Sequence, residues 1–432
     1  MKKNKWLVAA AAAVLSLSVT SCTNLRYNAS PVMSEEQEKV RLRFISSWGG
    51  VDSKAETLQE IFVRFTNENP NIEIINESLF GEDFLPKIKT DFASGNNPDV
   101  FGIWPGSDIR ALIQAGKVAD LTGLMEENPE WLRLFKSSML KYTTYDGKLY
   151  GLPFEIIFEA LFINRDLFEK YNVPIPATFE ELKDAVKIFR ENDIVPIAYN
   201  SLAEGTYLYQ NMVALLAGKE IAENPLHPEF GNYYKKAMSY MQELYRIGAF
   251  PDDAFTMTNH ERNTMFLEKK AAMIVQGSWF IGNIPPDDET VDIVYFPYFS
   301  NGNAPPKTLI YGLGNGCFYI SSETYNDDTK RDAAVSLLRF LTSKETAAEF
   351  ARQTGMISCV DIRDYSIDYN ALTGKAQILV NNSRQFIGPP DHFIDRTVWE
   401  EVIVPGIPYV LEGKMEIDEL YDKAVKAGLL SN

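Results

Sequence analysis

Three aromatic residues stand at the ends of predicted β-strands. Trp48, Trp104 and Tyr199 each close such a strand, and in open α/β sheets ligands bind outside the carboxyl ends of the strands. A flat aromatic ring packs against the apolar C–H face of a small molecule such as a sugar, while polar groups around the ring bind its hydroxyls. These residues are therefore candidates for a binding surface. Packing in the core is the alternative interpretation for each of them.

The glycine-rich segment GLGNG at residues 312–316 follows Tyr311 and is a further candidate for a binding surface. Glycines such as Gly314 allow backbone N–H groups to approach a ligand closely, and simple turn flexibility is the alternative interpretation. The run is not a dinucleotide-binding fingerprint, because its spacing is wrong and a strand follows it where a helix would be needed. We therefore predict that Tyr311 and Gly314 contact a ligand.

The common motifs of hydrolases and nucleotide-dependent enzymes do not occur in the sequence. It contains no HExxH, GxSxG or Walker motif, and His227, His260 and His392 stand in unrelated contexts. The 3 His and 3 Cys residues are widely scattered and leave too few ligands for a zinc site. We expect no metal, no cofactor and no enzymatic activity.

Length and charge exclude further classes of protein. The chain has 432 residues, of which 45% are hydrophobic, so it can form two domains or one large domain. It carries 42 Lys and Arg against 59 Asp and Glu, and the resulting net charge of -17 repels the phosphate backbone of nucleic acids. A folded, acidic protein that binds no nucleic acid is expected.

The first residues have the organisation of an export signal. Three early lysines precede an apolar run over residues 6–20, which is too short to be a permanent transmembrane helix. The letters VTSC at residues 19–22 resemble the lipobox of bacterial lipoproteins, in which cleavage precedes the cysteine and its sulfur is lipidated. We predict a signal peptide over residues 1–21 and a lipid anchor on Cys22. An ordinary signal peptide that leaves a free cysteine is the alternative.

A polar segment and two cysteines remain to be placed. Residues 22–39 lack a sustained apolar period and predict a flexible tether. Once Cys22 is assigned to lipid, Cys317 and Cys359 are left as a pair. Two cysteines do not make a disulfide scaffold in a chain of this length, so unlinked buried thiols are favoured, and a disulfide between them stays open.

Strands and helices alternate in the rest of the chain. The residue patterns predict a strand over 41–48, a helix that starts with a capping box at Ser53, and a second strand over 72–75. A comparable unit occupies residues 160–199, with another capping box at Thr178. This alternation predicts a layered α/β fold with a mostly parallel sheet.

Five short motifs follow one another in an order that matches a known family. They are GNNPDV at 95–100, GKLYGLP at 147–153, NRDLF at 164–168, TFEEL at 178–182 and GSW at 277–279. In this order they resemble the extracellular solute-binding proteins of ABC importers, and more closely the sugar-binding group that includes maltose-binding protein. The resemblance extends over most of the chain after the tether.

The resemblance implies a periplasmic-binding-protein-like fold of two lobes, each an α/β layered sheet, with the ligand cleft between them. Lobe one would hold residues 40–153 and 309–352, and lobe two residues 154–298 and 360–432. It also implies a monomeric protein that is lipid-anchored on the outer face of the cytoplasmic membrane. Such a protein captures a carbohydrate by closing over it and delivers it to ABC transporter permease subunits.

The resemblance also implies individual ligand contacts. The Gly-x-Trp motif of the family commonly stacks on the solute, which places Trp279 first among the candidates. Phe154 and Glu155 follow the crossing between the lobes and would lie at the floor of the cleft, where Glu155 could accept sugar hydroxyls. A solvated or ion-paired surface glutamate is the alternative. The family often has a stacking tyrosine in the region that here holds Tyr207 and Tyr209, and the choice between these two stays open.

Two other functions remain as alternatives. A glycoside hydrolase needs two carboxylates about 5 to 10 Å apart, and Glu155 and Glu159 are candidates among many acidic residues. A polysaccharide-binding surface lipoprotein without a transport role is the second alternative, although the binding modules of that class are usually β-sandwiches. Hydrolysis of a solute, as opposed to its simple retention, distinguishes the first alternative.

Overall fold

The computed structural model describes residues 39–314 and 316–430. The predicted signal peptide, Cys22 and nearly all of the tether lie outside the described residues, so these assignments stay predictions. Within the described ranges, no helix has the length and apolar character needed to cross a membrane.

Strands and helices alternate along the described part of the chain. The strands are β1 (Val40–Ile45), β2 (Ile72–Asn76), β3 (Val100–Gly102), β4 (Thr144–Tyr145), β5 (Lys148–Leu149), β6 (Gly151–Pro153), β7 (Glu155–Asn164), β8 (Val195–Ala198), β9 (Ala271–Gly277), β10 (Val291–Val294), β11 (Thr308–Leu313), β12 (Cys317–Ile320), β13 (Ile357–Ser358) and β14 (Gln385–Ile387). The α-helices are α1 (Ala55–Glu68), α2 (Phe84–Ser94), α3 (Ser107–Gln114), α4 (Thr122–Glu127), α5 (Pro129–Leu132), α6 (Ser137–Leu140), α7 (Arg165–Lys170), α8 (Phe179–Glu191), α9 (Tyr207–Ala217), α10 (Lys219–Ala222), α11 (Phe230–Arg246), α12 (Asn259–Leu267), α13 (Ser322–Tyr325), α14 (Arg331–Leu341), α15 (Lys344–Thr354), α16 (Ala371–Asn381), α17 (Arg396–Val398), α18 (Val404–Leu411) and α19 (Ile417–Lys426). Short turns of other helix types lie at Gly81–Asp83, Lys141–Thr143, Ala203–Thr206, Ser278–Asn283, Pro390–Phe393 and Trp399–Ile403.

Two large sheets organise these elements. The first has the order β2-β1-β3-β12-β6, with β1 parallel to β2 and β3, and β12 antiparallel to β3 and β6. The second has the order β14-β11-β7-β9-β8, and β10 and β13 also pair with β7. The predicted layered α/β class is therefore found.

The prediction of a mostly parallel sheet is wrong, since two of the four strand pairs of the first sheet are antiparallel and the second sheet is mainly antiparallel. In the second sheet, strand β7 runs antiparallel to β9, β10, β11 and β13, and only the outer pairs β8 with β9 and β11 with β14 are parallel. Local strand-helix alternation does not determine the direction of a strand that pairs with partners more than 100 residues away in the chain.

The chain crosses between the sheets at neighbouring points. Phe154 separates β6 of the first sheet from β7 of the second, and residues 314–316 separate β11 of the second sheet from β12 of the first. The backbone N–H of Phe154 donates to the carbonyl of Gly316 at 2.6 Å, which joins the two crossings. Strand β11 belongs to the second sheet although residues 309–352 were assigned to lobe one. The lobe boundaries themselves stay a prediction.

Helices cover the sheets with their apolar faces. In α1 the residues Leu58, Ile61, Phe62 and Phe65 are buried at helical spacing, as the sequence pattern predicts. The capping box expected at Ser53 is absent, because the helix begins after Lys54 and has no side-chain cap. The one expected at Thr178 forms in both directions with Glu181.

Both described cysteines, Cys317 and Cys359, are free and buried. This confirms the expectation of two unlinked thiols. Their burial also raises the pKa of each thiol well above its usual value, which favours the unreactive protonated form.

The carboxylate of Asp99 joins two strands of the first sheet to the helices that follow β12. Asp99 is 3% exposed, and it accepts hydrogen bonds from the backbone N–H of Arg43 at 2.7 Å and from the Thr324 hydroxyl at 2.5 Å. The ammonium of Lys330 lies 3.0 Å away and supplies the opposite charge. Strand β1, the N-terminal region of β3 and helices α13 and α14 therefore share one buried anion.

We predict that Asp99→Ala lowers the free energy of unfolding by about 3 kcal/mol, because it leaves a backbone donor and a lysine without their buried partner. Urea unfolding followed by far-UV circular dichroism measures this change. The exposed Asp328 provides a matched control, and Asp328→Ala should stay within about 0.5 kcal/mol of the wild type. Equal stability of the two variants would contradict the structural role of Asp99.

Candidate functional site

A cavity of about 800 Å³ lies where the two chain crossings meet. Its wall contains residues from loops and helices that follow strands of the first sheet, from the second sheet and from the C-terminal helical segment. The aromatic residues with large rings in this wall are Trp48, Phe80, Trp104, Tyr207, Trp279, Phe280 and Trp399. Its charged residues are Asp52, Lys54, Lys89, Glu155, Glu159, Glu204, Asp391, Arg396 and Glu400. The wall therefore combines flat apolar surfaces with many hydrogen-bonding groups.

Strand β7 supplies the polar centre of the wall. All ten of its residues are buried, and other strands pair with it along both edges. Side chains on a strand alternate between its two faces, so Glu155, Ile157 and Glu159 point to the same side. All three line the cavity. The strand thus presents two carboxylates to one enclosed space.

Lys54 neutralises the first of these carboxylates. Its ammonium lies 3.1 Å from Glu155 and 4.0 Å from Asp52, and the lysine is only 2% exposed. Burial alone would lower the pKa of Lys54, but the attraction of Glu155 and Asp52 outweighs it and raises the pKa. Lys54 therefore stays charged and holds Glu155 in place.

Two glycines allow Glu155 and Trp48 to approach the second crossing. A side chain at Gly314 would lie 2.8 Å from a carboxylate oxygen of Glu155. One at Gly316 would lie 2.5 Å from Cβ of Glu155 and 2.9 Å from the ring of Trp48. The glycine run therefore makes room for neighbouring side chains of the wall, a role that the sequence pattern did not predict.

Glu159 has a different environment. It is 1% exposed, and its carboxylate accepts one hydrogen bond of 2.7 Å from the side-chain amide of Asn211. Burial, and then the nearby carboxylate of Asp391, raises the pKa of Glu159 well above its usual value. One carboxylate oxygen of Asp391 is itself buried and has no hydrogen-bond partner among the described residues. Buried ring nitrogens of Trp104 and His392 in the same wall also lack a hydrogen-bond partner among the described residues.

A buried hydrogen-bond network holds the carboxylate of Glu204 in place at another part of the wall. Glu204 accepts hydrogen bonds from Arg262 and from Gln276, both at 3.0 Å. Gln276 also donates to the side-chain oxygen of Asn263 at 3.1 Å. Because Arg262 and Gln276 are fully buried, Glu204 and Asn263 present their remaining polar atoms to the cavity from a rigid base.

Trp279 lies directly after β9, as the sequence pattern placed it. A side chain at Gly277 would come within 2.0 to 2.4 Å of the six-membered part of the Trp279 ring, so the ring lies over this glycine. The ring of Tyr207 meets the indole edge-on, with centroids 5.6 Å apart. The motif GSW therefore has a physical explanation, because its glycine is needed to seat the indole.

The ring of Trp104 is partly covered by Arg396 of the C-terminal segment. The guanidinium of Arg396 lies 4.8 Å from the centre of its ring, and the same guanidinium pairs with Glu400 at 2.6 Å. The backbone N–H of Arg396 donates to the hydroxyl of Ser107 at 3.0 Å. These contacts join the loop after β3 to the C-terminal segment at the rim of the cavity.

The structure brings most of the predicted residues together. Trp48, Trp104, Glu155, Tyr207, Trp279 and Gly314 all line the cavity. Of the two tyrosines left open by the sequence, Tyr207 faces the cavity, whereas the Tyr209 hydroxyl donates to the carbonyl of Tyr234 in the core.

Three predicted residues do not line the cavity. Phe154 is fully buried and packs against Trp48 and Phe318. Tyr199 is 1% exposed and stacks on Phe250 with ring centroids 4.3 Å apart. Tyr311 packs against a neighbouring ring of β14. Packing in the core fits the structure for all three. Tyr199, at a strand end, turns toward the core, whereas Tyr311 lies within β11 opposite Phe158, on the face of the sheet away from Glu155 and Glu159.

Sequence patterns missed other members of the wall. Lys54, Asp391 and Arg396 line it without having been candidates, and Glu159 was considered only as a catalytic acid. One signal was available, since two acids spaced four apart interrupt the apolar run of β7 on a single face. Lys54, Asp391 and Arg396 reach the wall through contacts between segments that are distant in the sequence, and no local pattern predicts such contacts.

We predict that Gly277→Ala displaces the Trp279 ring and lowers the free energy of unfolding by about 1 to 3 kcal/mol through overpacking. Near-UV circular dichroism and urea unfolding measure both effects. The matched control is Gly374→Ala inside α16, where an added methyl meets no atom within 4 Å; it should be neutral or stabilise by up to about 1 kcal/mol. Wild-type stability and an unchanged near-UV spectrum for Gly277→Ala would refute the close packing.

Comparison with known proteins identifies relatives along most of the chain. A protein of Brucella abortus (strain 2308), named only as a binding protein, is 36% identical over 325 residues, which cover 72% of this chain and 74% of that protein. The multiple sugar-binding protein of Streptococcus mutans serotype c is 23% identical over 319 residues, which cover 71% of this chain and 73% of that protein.

The fold has solved counterparts as well. A structure described by the words "xylan utilization by the thermophilic bacterium Caldanaerobius polysaccharolyticus" superposes with a TM-score of 0.82 at 24% identity, and covers 90% of this chain and 100% of that chain. This likeness confirms the expected fold of two α/β lobes.

The family itself is identified by a direct match. The model of the bacterial extracellular solute-binding protein family matches residues 51–348, which is more than half of the chain. This confirms the resemblance inferred from the five motifs. The chain therefore belongs to the family of bacterial extracellular solute-binding proteins.

Proposed function

We propose that this protein captures a carbohydrate in the cavity between its sheets and delivers it to the permease subunits of an ABC importer. The observation that carries the proposal is the composition of the cavity wall, in which aromatic rings alternate with carboxylates and amides. A sugar needs both, because its C–H faces are apolar and its hydroxyls form hydrogen bonds at the edge of the ring. The names of the Streptococcus and Caldanaerobius relatives point to the same class of ligand.

The free ring surface of Trp279 is the first candidate for stacking on the solute. Its indole is held by Gly277 below and Tyr207 at the side, so it loses little freedom when a ligand binds. Glu204 and Asn263 stand on the buried network described above. Glu204 offers its second carboxylate oxygen as an acceptor for a hydroxyl, and Asn263 offers its side-chain NH2 as a donor. A rigid wall of this kind favours binding because few side chains must be ordered.

Closure of the two lobes over the solute forms part of the proposal. Trp48 and Trp104 lie in loops that follow strands of the first sheet, and Trp279 follows β9 of the second sheet, so a ligand that touches all three bridges the two parts. Such a ligand stabilises the closed arrangement by its differential affinity for it. We propose that the protein acts as a monomer in this cycle.

Hydrolysis of a glycoside is less well supported by the wall. A hydrolase needs a protonated acid and a second, available carboxylate. Glu159 has the raised pKa of an acid, but Glu155 is engaged by Lys54 at 3.1 Å. Incubation of a bound oligosaccharide with the protein, followed by chromatography of the recovered sugar, distinguishes retention from hydrolysis.

We predict that a thermal-shift screen over mono- and oligosaccharides identifies a ligand, since a solute at 100 times its dissociation constant stabilises the native state by about 2.7 kcal/mol. For that ligand, Trp279→Ala should weaken binding by about 2 kcal/mol in calorimetry, because a stacking surface is lost. The fold should persist, since Trp279 is only partly buried.

Trp131→Phe is the variant to compare with Trp279→Ala. Trp131 is 4% exposed, lies outside the cavity wall and donates from its indole nitrogen to the hydroxyl of Thr342 at 3.0 Å. Trp131→Phe should therefore cost stability and leave the affinity unchanged. Unchanged affinity for Trp279→Ala together with a large drop in its unfolding midpoint would instead make Trp279 a packing residue.

We also propose that Cys22 carries the lipid that anchors the mature protein to the outer face of the cytoplasmic membrane. The prediction is that the wild type sediments with membranes, and that Cys22→Ser is soluble or keeps its signal peptide, since stable anchoring needs at least two acyl chains. Cys359→Ser should still sediment with membranes, because this thiol is buried in the folded part. A wild type found wholly in the soluble fraction after cell disruption would exclude the anchor.

A further inference from the structure

The cavity wall carries an excess of negative charge. Together with their ion-pair partners, its charged side chains comprise four cations and seven carboxylates. Lys54 pairs with Glu155, Lys89 with Asp108, Arg262 with Glu204 and Arg396 with Glu400. Within the described part of the chain, Glu159 and Asp391 are the wall acids for which no cation lies within salt-bridge distance.

We propose that the solute is a carbohydrate with a protonated amino group, and that this ammonium binds between the carboxylates of Glu159 and Asp391. The proposal rests on the carbohydrate-binding function proposed above and specifies the chemical class of its ligand. A neutral sugar would leave this part of the wall with two unpaired acids, whereas an amine supplies the missing charge and up to three hydrogen-bond donors.

The position of Glu159 favours a charged donor. Its carboxylate is almost fully buried and has one hydrogen bond, from the neutral amide of Asn211. A buried carboxylate without an opposite charge is costly to keep ionised, and a cation in the cavity removes this cost. Asp391 adds a buried oxygen that has no hydrogen-bond partner in the described ranges.

The surrounding groups do not supply that cation. His392 is adjacent to Asp391, but burial lowers its pKa and keeps the imidazole neutral. Arg396 is attracted by Asp391, yet its guanidinium is engaged by Glu400 at 2.6 Å and by the ring of Trp104. Arg262 is held by Glu204 at 3.0 Å.

Aromatic rings at the same place complete a site for a cation. Burial raises the pKa of Tyr207 well above its usual value, and repulsion by the carboxylates of Glu204, Glu159 and Asp391 adds to this effect. Tyr207 contacts Trp279 edge-on. Acids and electron-rich rings in one enclosed space attract ammonium groups, both by charge and by cation–π contact.

The test compares matched pairs of sugars that differ in one amino group. Glucosamine and galactosamine are compared with glucose, galactose and their N-acetylated forms, and chitosan trimers with chitin trimers, by calorimetry at neutral pH. An amino sugar is expected to be the tightest ligand, by about tenfold or more over its neutral counterpart, as for hydrogen bonds to charged groups. A neutral sugar as the tightest ligand would overturn the inference and leave the proposed function intact, whereas no binding by any carbohydrate would contradict the proposed function itself.

Neutral isosteres separate charge from shape. Glu159→Gln keeps an oxygen that can accept from Asn211 and Asp391→Asn keeps its volume, so each should reduce the preference for the amino sugar about tenfold while neutral sugars still bind. Glu220→Gln and Asp328→Asn, both exposed and outside the cavity wall, are the matched controls and should keep the full preference. An unchanged preference in both wall variants would also overturn the inference.

Discussion

The burial of acidic side chains on one central strand is the constraint on which the rest of this structure depends. Strand β7 is paired along both edges and all ten of its residues are removed from solvent, yet two of them are glutamates on the same face. A buried carboxylate costs several kcal/mol unless it has partners or loses its charge. The two glutamates meet this requirement in different ways.

Glu155 obtains a buried lysine from the start of the first helix, and with it a structural link between the two sheets. Glu159 has only an amide partner and a pKa raised by burial. Glu155 is therefore paired with a cation, whereas Glu159, in the middle of the strand, has no cation partner among the described residues. A solute can supply a partner for Glu159, which couples ligand binding to the stability of β7.

The close packing around β7 explains why glycines are needed beside the cavity. Where chain crossings, rings and carboxylates converge, a single methyl group would collide, as the positions of Gly277, Gly314 and Gly316 show. Because these glycines have no side chain, Trp279, Glu155 and Trp48 can pack closely against them and are held in fixed positions. A preformed wall reduces the entropy that a ligand must offset on binding.

Local sequence patterns predicted the layered fold and the residues that follow strands, because strand ends and helix periods are local properties. They made Trp48 and Trp104 candidates for this reason, whereas the family and the role of Trp279 came from the resemblance carried by the short motifs. The predictions failed for Tyr199 and Tyr311, since a local pattern cannot tell whether a ring turns to the cavity or to the core. They also missed partners such as Lys54 and Asp391, which reach β7 from segments about 100 or more residues away.

A crystal structure of the protein with its tightest-binding carbohydrate tests the central claim most directly. The account predicts a sugar ring stacked on Trp279, with a polar group of the sugar within hydrogen-bond distance of the Glu159 carboxylate. Carbohydrate bound instead at the surface depression lined by Arg190, Tyr245 and Gly413, with the cavity wall free of ligand, would contradict it.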